Sequence, residues 1–405
     1  SGALPAMSGP GGPRSAEPPW MNEAPVRTLL DALADGGISA RFVGGCVRDW
    51  MLERPISDID IAVDKPPETV IKALEAAGIK VVPTGLKHGT VTAVVKGRPF
   101  ELTTLRRDVE TDGRHAIVAF TDDWREDAGR RDFTFNALYA DRAGTIYDYF
   151  GGQTDLLAGR VRFIGDPEQR IAEDRLRVLR FFRFHARFGK SPFDGPSFDA
   201  CRRNAATVSG LSGERVRKEL LRTLDAPGGA DAFDAMLEAG VLDHWLPEYA
   251  GSTKLRALAA REEKADALRR LAAILPVDAD ATAIGKRLKL STQESVRLQL
   301  MLDPANAIDT ANLRVSLYRL GTKLFIDRAL LDAPGDWRAA LALAGSWTPP
   351  ELPIGGNDAL ALGLKPGPKV GALLEAVERW WIAGDFSADR DACLAELKRL
   401  ADAEA

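Results

Sequence analysis

The chain has 405 residues, of which 45% are hydrophobic and 28% are charged, with a formal net charge of −4 at pH 7. This length exceeds what a single core usually holds, so we expect two or more domains, and no apolar run approaches the roughly 18 residues of a membrane span. The three cysteines, Cys46, Cys201 and Cys393, are far apart, which argues against a disulfide framework or a zinc site and predicts a cytoplasmic protein.

The N-terminal part of the sequence divides into a segment without predicted structure and a mixed domain. Residues 1–19 are rich in Gly, Pro and Ser, and we expect them to be disordered. Between residues 20 and 145, strand patterns such as "SDIDIAV", "TVTAVV" and "PFELTTL" alternate with helical patterns such as "ETVIKALEAAG", which ends on Gly78. This alternation predicts a mixed α/β domain.

A glycine pair opens the string "RFVGGCVRDWMLERPISDIDIAV" at residues 41–63. Gly44 and Gly45 carry no side chains, so their backbone N–H groups can approach a phosphate closely, and Arg48 adds a positive charge about one helical turn later. Neither the glycine motif nor the aspartate pair that follows it indicates a function alone, because each is common in proteins. At their joint spacing they predict a triphosphate site beside a metal site.

The aspartate pair lies in the first strand pattern. Successive side chains of a strand alternate between faces, so Asp58 and Asp60 point one way while Ile59 and Ile61 point into the core. Two carboxylates held this close repel each other, and Mg²⁺ is the usual cation that neutralises such a pair of oxygen ligands. Metal ions held in this way can activate a hydroxyl group and stabilise a leaving oxygen in phosphoryl transfer.

Helical periodicity replaces the strand patterns after residue 146. We expect a helical neck at residues 146–225, which includes "IAEDRLRVLRFFRFHARFG" and "ERVRKELLRTL", and a helical body and tail at residues 226–405. Residues 170–222 contain 13 Lys and Arg against 6 Asp and Glu. This local surplus in an otherwise acidic chain favours a phosphate-binding face, and a solvated helical surface is the alternative.

The string at residues 41–63 resembles the signature of the nucleotidyltransferase superfamily that includes DNA polymerase β, specifically its branch of class II CCA-adding enzymes and bacterial poly(A) polymerases. Four further segments follow in the order of that family: "RRDFTFNALYAD" (130–141), "YDYFGGQTDLLAGRVRFIGDP" (147–167), "EDRLRVLRFFRF" (173–184) and "LSGERVRKELLRTL" (211–224). The resemblance covers about half of the chain. It implies an α+β protein, in which a polymerase β-like mixed-sheet nucleotidyltransferase head (20–145) is followed by an all-helical neck, body and tail.

The resemblance assigns roles to three carboxylates. In the family the first two motif carboxylates hold the catalytic metal ions, which implies that Asp58 and Asp60 bind Mg²⁺. A third carboxylate usually comes from a neighbouring strand, and our candidate is Glu101, because the strand pattern places it on the face opposite Phe100 and Leu102. A glutamate that merely faces solvent is the alternative.

The segment "RRDFTFNALYAD" supplies the polar set expected around a nucleotide. By resemblance, Asp132 hydrogen-bonds the ribose hydroxyl groups and favours ribonucleotides. Arg131 and Asn136 would help to hold the sugar and the phosphates. A helix N-terminus capped by Asp132 is compatible with these roles.

The segment "EDRLR" predicts nucleobase selection. Asp174 and Arg177 are spaced i and i+3, so on a helix they share one face and present an acceptor next to donors. Cytosine and adenine both offer an amino donor beside an unprotonated ring nitrogen, whereas uracil and guanine present a carbonyl beside a protonated one. The family is thought to admit C and A in this way, and an exposed salt bridge is the alternative. Arg180 also matches a family motif position, whereas Arg183 and Arg187 could contact phosphates or be solvated.

Residues 106–117, "RRDVETDGRHAI", are charged and lack apolar periodicity, so they predict a mobile loop. In the family a flexible loop at this place is implicated in the change from C to A addition. The resemblance implies a template-independent CCA tRNA nucleotidyltransferase, which adds CMP and AMP from CTP and ATP to the tRNA 3′ end. The motifs leave open a bacterial poly(A) polymerase, an A-adding enzyme dependent on a CC-adding partner, an inactive RNA-binding protein, and the oligomeric state.

Overall fold

The computed structural model describes residues 3–4, 19–56, 58–111 and 116–403. It divides into two compact units. The first contains Ser1–Arg256, Ala265–Leu275 and Thr282–Ser291, and the second contains Ala257–Lys264, Pro276–Ala281 and Thr292–Ala405. The predicted boundaries at residues 145 and 225 fall inside the first unit and stay predictions. Most of the segment 1–19, predicted to be disordered, lies outside the described residues.

The strands form one large sheet and one hairpin. They are β1 (Ala3–Leu4), β2 (Ala40–Val43), β3 (Asp60–Val63), β4 (Lys80–Gly85), β5 (Thr90–Val95), β6 (Arg98–Thr104), β7 (Arg106–Thr111), β8 (Ala116–Phe120), β9 (Leu138–Ala140) and β10 (Ile146–Asp148). The large sheet has the order β1-β10-β9-β2-β3-β6-β5-β4, and β7 pairs with β8. Strands β3 and β6 are parallel, and the other described pairs are antiparallel. The predicted mixed sheet is confirmed.

Helices account for most of the described chain after β10, which confirms the predicted α+β class. They are α1 (Ala24–Asp35), α2 (Gly45–Met51), α3 (Pro67–Ala76), α4 (Trp124–Gly129), α5 (Gly152–Ala158), α6 (Pro167–Glu173), α7 (Leu176–Phe188), α8 (Gly195–Arg203), α9 (Gly213–Asp225), α10 (Gly229–Glu238), α11 (Thr253–Ala259), α12 (Ala267–Ala273), α13 (Ala281–Arg287), α14 (Thr292–Leu302), α15 (Leu313–Asp332), α16 (Trp337–Ser346), α17 (Gly356–Ala361), α18 (Pro368–Ala383) and α19 (Arg390–Ala403). Within the described ranges, no helix combines the length and apolar character needed to cross a membrane.

In β5 and β6, side chains alternate between a buried apolar face and a more exposed face. In β5, Val91, Ala93 and Val95 are buried, and α1 and α3 pack against this strand. In β6, Phe100 and Leu102 are buried while Glu101 between them is exposed. In these two strands the covered face therefore holds the strands in place, and the opposite face carries Glu101.

An aromatic core fixes the neck helix α7 against the segment that follows α4. The ring of Phe133 lies 4.9 Å from that of Phe163 and 5.2 Å from that of Phe184, measured between centroids. Phe135 contacts Phe184 and Phe188 in the same cluster. Such pairs contribute about 0.5–1.5 kcal/mol each beyond the burial of their area. The cluster therefore holds the polar residues of both segments in fixed positions.

The prediction that residues 106–117 lack regular structure is wrong where the chain is described, and their predicted mobility stays a prediction. Arg106–Thr111 and Ala116–Phe120 form an antiparallel hairpin with a register shift between Asp108 and Glu110. A hairpin of this kind satisfies its backbone groups by cross-strand hydrogen bonds, so it forms without the apolar alternation that marks a half-buried strand. Residues 112–115 lie outside the described part of the chain.

The second unit is helical and contains two apolar clusters. Leu373, Val377 and Trp381 belong to one cluster, and Leu317 and Phe325 belong to the other. Helix α15 changes direction at Gly321, whose φ of 73° lies in the left-handed region that glycine adopts readily. The predicted helical C-terminal half is confirmed in this unit.

Candidate active site

A cavity of about 580 Å³ lies in the first unit between the strands and the neck helices. Its lining includes every predicted site residue except Asp58, namely Gly44, Gly45, Arg48, Asp60, Glu101, Arg131, Asp132, Asn136, Asp174, Arg177 and Arg180. Seven arginines and four carboxylates line it. The excess of positive charge suits a ligand that carries several negative phosphate groups.

The carboxylates occupy the sheet end of this cavity. Asp60 begins β3 and lies directly beside Glu101 of β6 in the parallel register. Asp58 precedes the strand. The predicted alternation nevertheless holds from Asp58 to Ile61, since both aspartates are exposed and both isoleucines are buried. Partial burial raises the pKa of Asp60, the charges of Glu101 and then Asp58 raise it further, and Arg131 opposes them. The three carboxylates therefore repel one another across a small volume.

The chemistry of this end fits a hard divalent cation. Mg²⁺ is commonly held by one or two carboxylates and completes its coordination with phosphate oxygens and water. In the described ranges, no three His, Cys, Asp or Glu side chains stand close enough together to hold a metal ion. Asp58 and Asp60 offer carboxylate oxygens of the kind that Mg²⁺ binds, and their role as its ligands stays a prediction. A role for Glu101 as a third ligand stays a prediction.

The glycine pair is only partly available to a phosphate. Gly44 has φ 70°, and a Cβ atom there would approach the backbone oxygen of Asn136 and a guanidinium nitrogen of Arg131. Its N–H already donates to the carbonyl of Leu138 at 3.1 Å, and the predicted use of that amide for a phosphate stays a prediction. Gly45 is the first residue of α2, and the first amides of a helix have no hydrogen-bond acceptor within that helix. Glycine is therefore needed at residue 44 because of the positive φ of the turn, and not because of its amide.

A chain of hydrogen bonds crosses the middle of the cavity. Nη1 of Arg48 donates to Oδ1 of Asn136 at 2.9 Å, and Nδ2 of Asn136 donates to Oδ1 of Asp132 at 2.9 Å. Nε of Arg180 donates to Oδ2 of Asp132 at 2.7 Å. Burial raises the pKa of Asp132, but Arg180 and these hydrogen bonds outweigh it and hold the pKa below its usual range. Asp132 does not cap a helix, because the 3₁₀ turn that follows has no side-chain cap.

Asp127 is a buried residue of the site that sequence reasoning missed. Its Oδ1 accepts from Arg130 at 3.0 and 3.1 Å, and its Oδ2 accepts from Arg131 at 3.2 Å and from the Tyr139 hydroxyl at 2.6 Å. Burial raises its pKa, but the two arginines and the hydrogen bonds reverse this effect and lower the pKa to about 2. The i+3 and i+4 spacing of "DAGRR" was the available signal. Asp127 fixes two arginines that line the cavity.

Asp174 and Arg177, which are predicted to select the nucleobase, line the end of the cavity formed by the neck helices. Their hydrogen-bond partners differ from those predicted from the sequence. Asp174 lies in the break between α6 and α7, so its predicted place on one helical face with Arg177 is wrong. Its carboxylate accepts from Nη2 of Arg215 at 3.0 and 3.1 Å. Arg177 donates to Glu173 at 2.7 Å and to the carbonyl of Arg130 at 2.8 Å. The alternative of a mutual Asp174–Arg177 salt bridge is also wrong.

Two family models match the chain across this cavity. The model described as "Poly A polymerase head domain" matches residues 40–162, and the one described as "Probable RNA and SrmB- binding site of polymerase A" matches residues 193–252. The first range contains the glycine pair, the carboxylates and Asp127, and the second contains Arg215. Between the two ranges lies the segment with Asp174 and Arg177.

The chain is similar to named enzymes over nearly its whole length. It is 33% identical to "CCA tRNA nucleotidyltransferase 1, mitochondrial" of Mus musculus over 390 residues, which covers 92% of this chain and 90% of the relative. It is 38% identical to the CCA-adding enzyme of Geobacillus stearothermophilus over 234 residues, 57% of this chain and 56% of that enzyme.

Solved structures show the same architecture. The crystal structure of the Bacillus stearothermophilus CCA-adding enzyme in complex with CTP superposes with a TM-score of 0.79 at 29% identity, covering 94% of this chain and 99% of that one. The Thermotoga maritima CCA-adding enzyme complexed with tRNA shares the fold, with a TM-score of 0.67 at 21% identity over 92% of this chain and 93% of that one.

Proposed function

Because the chain belongs to the family of CCA tRNA nucleotidyltransferases, we propose that it adds CMP and AMP from CTP and ATP to the 3′ end of tRNA without a nucleic-acid template. The observation that carries this proposal is the shared cavity, where the Asp60–Glu101 pair and the Asp174–Arg177 segment line one space. A nucleoside triphosphate needs a site for its reacting phosphate and a site for its base. The two ends of the cavity meet these two needs.

The reaction forms one bond to phosphorus and breaks another, and the attacking hydroxyl loses a proton. The 3′-hydroxyl oxygen of the RNA releases its proton to water and bonds to the α-phosphorus of the nucleotide, the bond from that phosphorus to the bridging oxygen breaks, and pyrophosphate leaves. Asp58 and Asp60 would hold Mg²⁺, which supplies charge neutralisation at the attacking and leaving oxygens. Arg131 lies close enough to Asp60 to lower its pKa. It is therefore placed to contact a phosphate near the carboxylates.

The middle of the cavity would orient the sugar. Asp132 already accepts hydrogen bonds from the Phe133 amide, from Asn136 and from Arg180, so its acceptor sites are largely used. A direct bond from a ribose hydroxyl would therefore exchange with one of the Arg180 bonds. In the absence of such an exchange, Asp132 holds Asn136 and Arg180 in position for the nucleotide.

The neck end would read the base by hydrogen bonds to one edge. Asp174 supplies an acceptor for the amino group that cytosine and adenine share, and Arg177 supplies donors for the unprotonated ring nitrogen beside it. Arg215 orients Asp174 by hydrogen bonds to its carboxylate, and Glu173 together with the Arg130 carbonyl orients the guanidinium group of Arg177. Uracil and guanine would place a carbonyl against Asp174 and be rejected.

Incorporation assays distinguish this proposal from its rivals. Purified protein with Mg²⁺ receives tRNA lacking CCA, CA or A, with CTP and ATP supplied separately and together, and products are sized to one nucleotide. We expect C, C and then A, followed by a stop. A long ladder of A would indicate a poly(A) polymerase, and addition of A only to RNA ending in CC would indicate dependence on a CC-adding partner. No incorporation alongside RNA binding would indicate an inactive RNA-binding protein.

The cytoplasmic location predicted from the cysteines stays a proposal. All three cysteines are unpaired and buried, which agrees with a reducing compartment. The relatives include mitochondrial enzymes, and unpaired, buried cysteines are equally compatible with a mitochondrial location. Fractionation of cells that contain the native protein would decide between the two compartments.

A further inference from the structure

A second cavity, of about 430 Å³, lies behind the wall formed by Arg48 and Phe184, which line both cavities. Its lining consists of Arg48, Asp49, Arg54, Pro55, Arg183, Phe184, Arg187, Phe188, Arg222 and Asp225. These residues come from the end of α2 and the loop that leads to Asp58, from the second half of α7, and from the end of α9. The second cavity therefore adjoins the nucleotide cavity without containing its carboxylates.

The charge of this cavity is strongly positive. Five arginines line it against two aspartates, and two of the arginines have ion-pair partners, Arg48 with Asp49 and Arg183 with Glu219. Arg54, Arg187 and Arg222 are exposed, and Arg187 and Arg222 have no ion-pair partner within the described part of the chain. Burial lowers the pKa of Arg183, and although Glu219 opposes this, the charges of neighbouring arginines, including Arg222, lower it further. Guanidinium groups brought together in this way repel one another, and a bound anion would relieve the repulsion.

The arginines on one wall are held in place before any ligand arrives. The guanidinium carbon of Arg48 lies 4.2 Å from the ring centroid of Phe188, and that of Arg54 lies 4.9 Å from the same centroid. Nη1 of Arg54 also donates to the carbonyl of Arg187 at 3.5 Å. Stacking on an aromatic face fixes the planar fork of arginine, which reduces the entropy lost when the fork binds an oxyanion.

We propose that this cavity is a second phosphate-binding site, which takes phosphate groups that enter or leave the nucleotide cavity past Arg48. The proposal rests on the proposed function, whose reaction offers two sources of such groups. One source is the sugar–phosphate backbone of the RNA next to its 3′-terminal nucleotide, and the other is the released pyrophosphate. Forks of two or more arginines around a small cavity match the tetrahedral oxygens that both sources share.

Equilibrium binding to the full chain tests this site without chemistry. The double variant Arg187→Ala/Arg222→Ala removes two exposed charges of the cavity. Arg202→Ala/Arg203→Ala removes two exposed charges of α8, which pair with Asp199 and Glu168 outside both cavities, and is the matched control. Binding of tRNA lacking CCA is measured over a salt series, and binding of inorganic pyrophosphate is measured by calorimetry.

Two results support the site and identify the source. If the RNA backbone occupies it, the cavity variant binds tRNA about 10-fold more weakly, and the slope of log affinity against log salt falls by roughly 0.7 per lost contact. If pyrophosphate occupies it, the variant binds pyrophosphate about 10-fold more weakly and tRNA normally. Binding of both ligands equal to that of the Arg202/Arg203 control overturns the proposal. Because these are binding measurements, they stand even if the incorporation assay refutes the proposed function.

Discussion

At the sheet end of the cavity, Asp60 and Glu101 lie side by side on parallel strands and repel each other, whereas at the neck end Asp174 and Arg177 each have an oppositely charged partner. The sheet end thus carries charge that a cation would neutralise. The neck end is already neutralised and oriented. This difference predicts that changes at the sheet end remove the chemistry, and that changes at the neck end alter which nucleotide is chosen.

The largest expected effect is that of Asp60→Ala. We expect incorporation to fall by at least about 1000-fold, because a ligand of the proposed Mg²⁺ site is lost. Binding of tRNA, measured by equilibrium titration, should be nearly unchanged. Asp64→Ala is the control, since Asp64 follows the same strand and accepts from the Ser39 amide away from the cavity. Substantial incorporation by Asp60→Ala would refute the role of the sheet end.

A change at Asp127 tests whether the arginines between the two ends need their buried carboxylate. Asp127→Asn keeps the shape but leaves Arg130 and Arg131 without their ion pair, so we expect the kcat/KM for CTP to fall by about 100-fold. The expected loss lies mainly in KM, because both arginines line the cavity proposed to bind the nucleotide. Separate determination of kcat and KM by steady-state kinetics checks this.

Asp155→Asn is the matched control for Asp127→Asn. Asp155 is also buried, at 2% exposure, and accepts from Thr134 at 2.6 Å and from Arg162 at 2.9 Å. Arg162 does not line the cavity. If both variants lose stability and kcat/KM to the same extent, Asp127 is a structural residue only.

A smaller effect is expected from His185, which lies on the neck helix α7. Its ring stacks on Phe193 with centroids 3.6 Å apart, and burial lowers the pKa of His185 to about 4, although Asp231 opposes this. Below about pH 6.5 the unfolded chain binds a proton that the folded protein does not, so stability falls as the pH falls towards 4. Between pH 7 and 5 this amounts to about 2 kcal/mol of unfolding free energy.

Urea unfolding of the wild type and of His185→Gln at both pH values measures this contribution. The variant should lose about 2 kcal/mol less than the wild type over the same interval, because it has no imidazole to protonate. Incorporation at pH 7 serves as the control for an intact neck. Equal losses in the two proteins would mean that His185 is accessible to protons in the folded state.

The sequence predicted the sheet end better than the neck end, for a physical reason. The strand period of two residues determined which side chains share a face, so the exposed position of Glu101 between two buried residues could be predicted. The partner of Asp174 is Arg215, 41 residues later, and no local period relates them. Asp127 was not predicted because its role depends on its burial, and the sequence pattern of a helix does not show that a charged residue is buried.

The smallest expected effect concerns base selection and tests the neck end directly. Asp174→Ala removes the acceptor for the amino group of cytosine and adenine, so discrimination against UTP and GTP should decrease by about 10-fold. Incorporation of CTP should decrease less, because the carboxylates of the sheet end remain. Competition between CTP and UTP on tRNA lacking CCA measures the ratio, and Asp199→Ala, at an exposed carboxylate of α8, is the control. Unchanged rejection of UTP by Asp174→Ala would place base selection elsewhere and remove the distinction between the two ends, because the ion-paired neck would then serve only to hold the nucleotide.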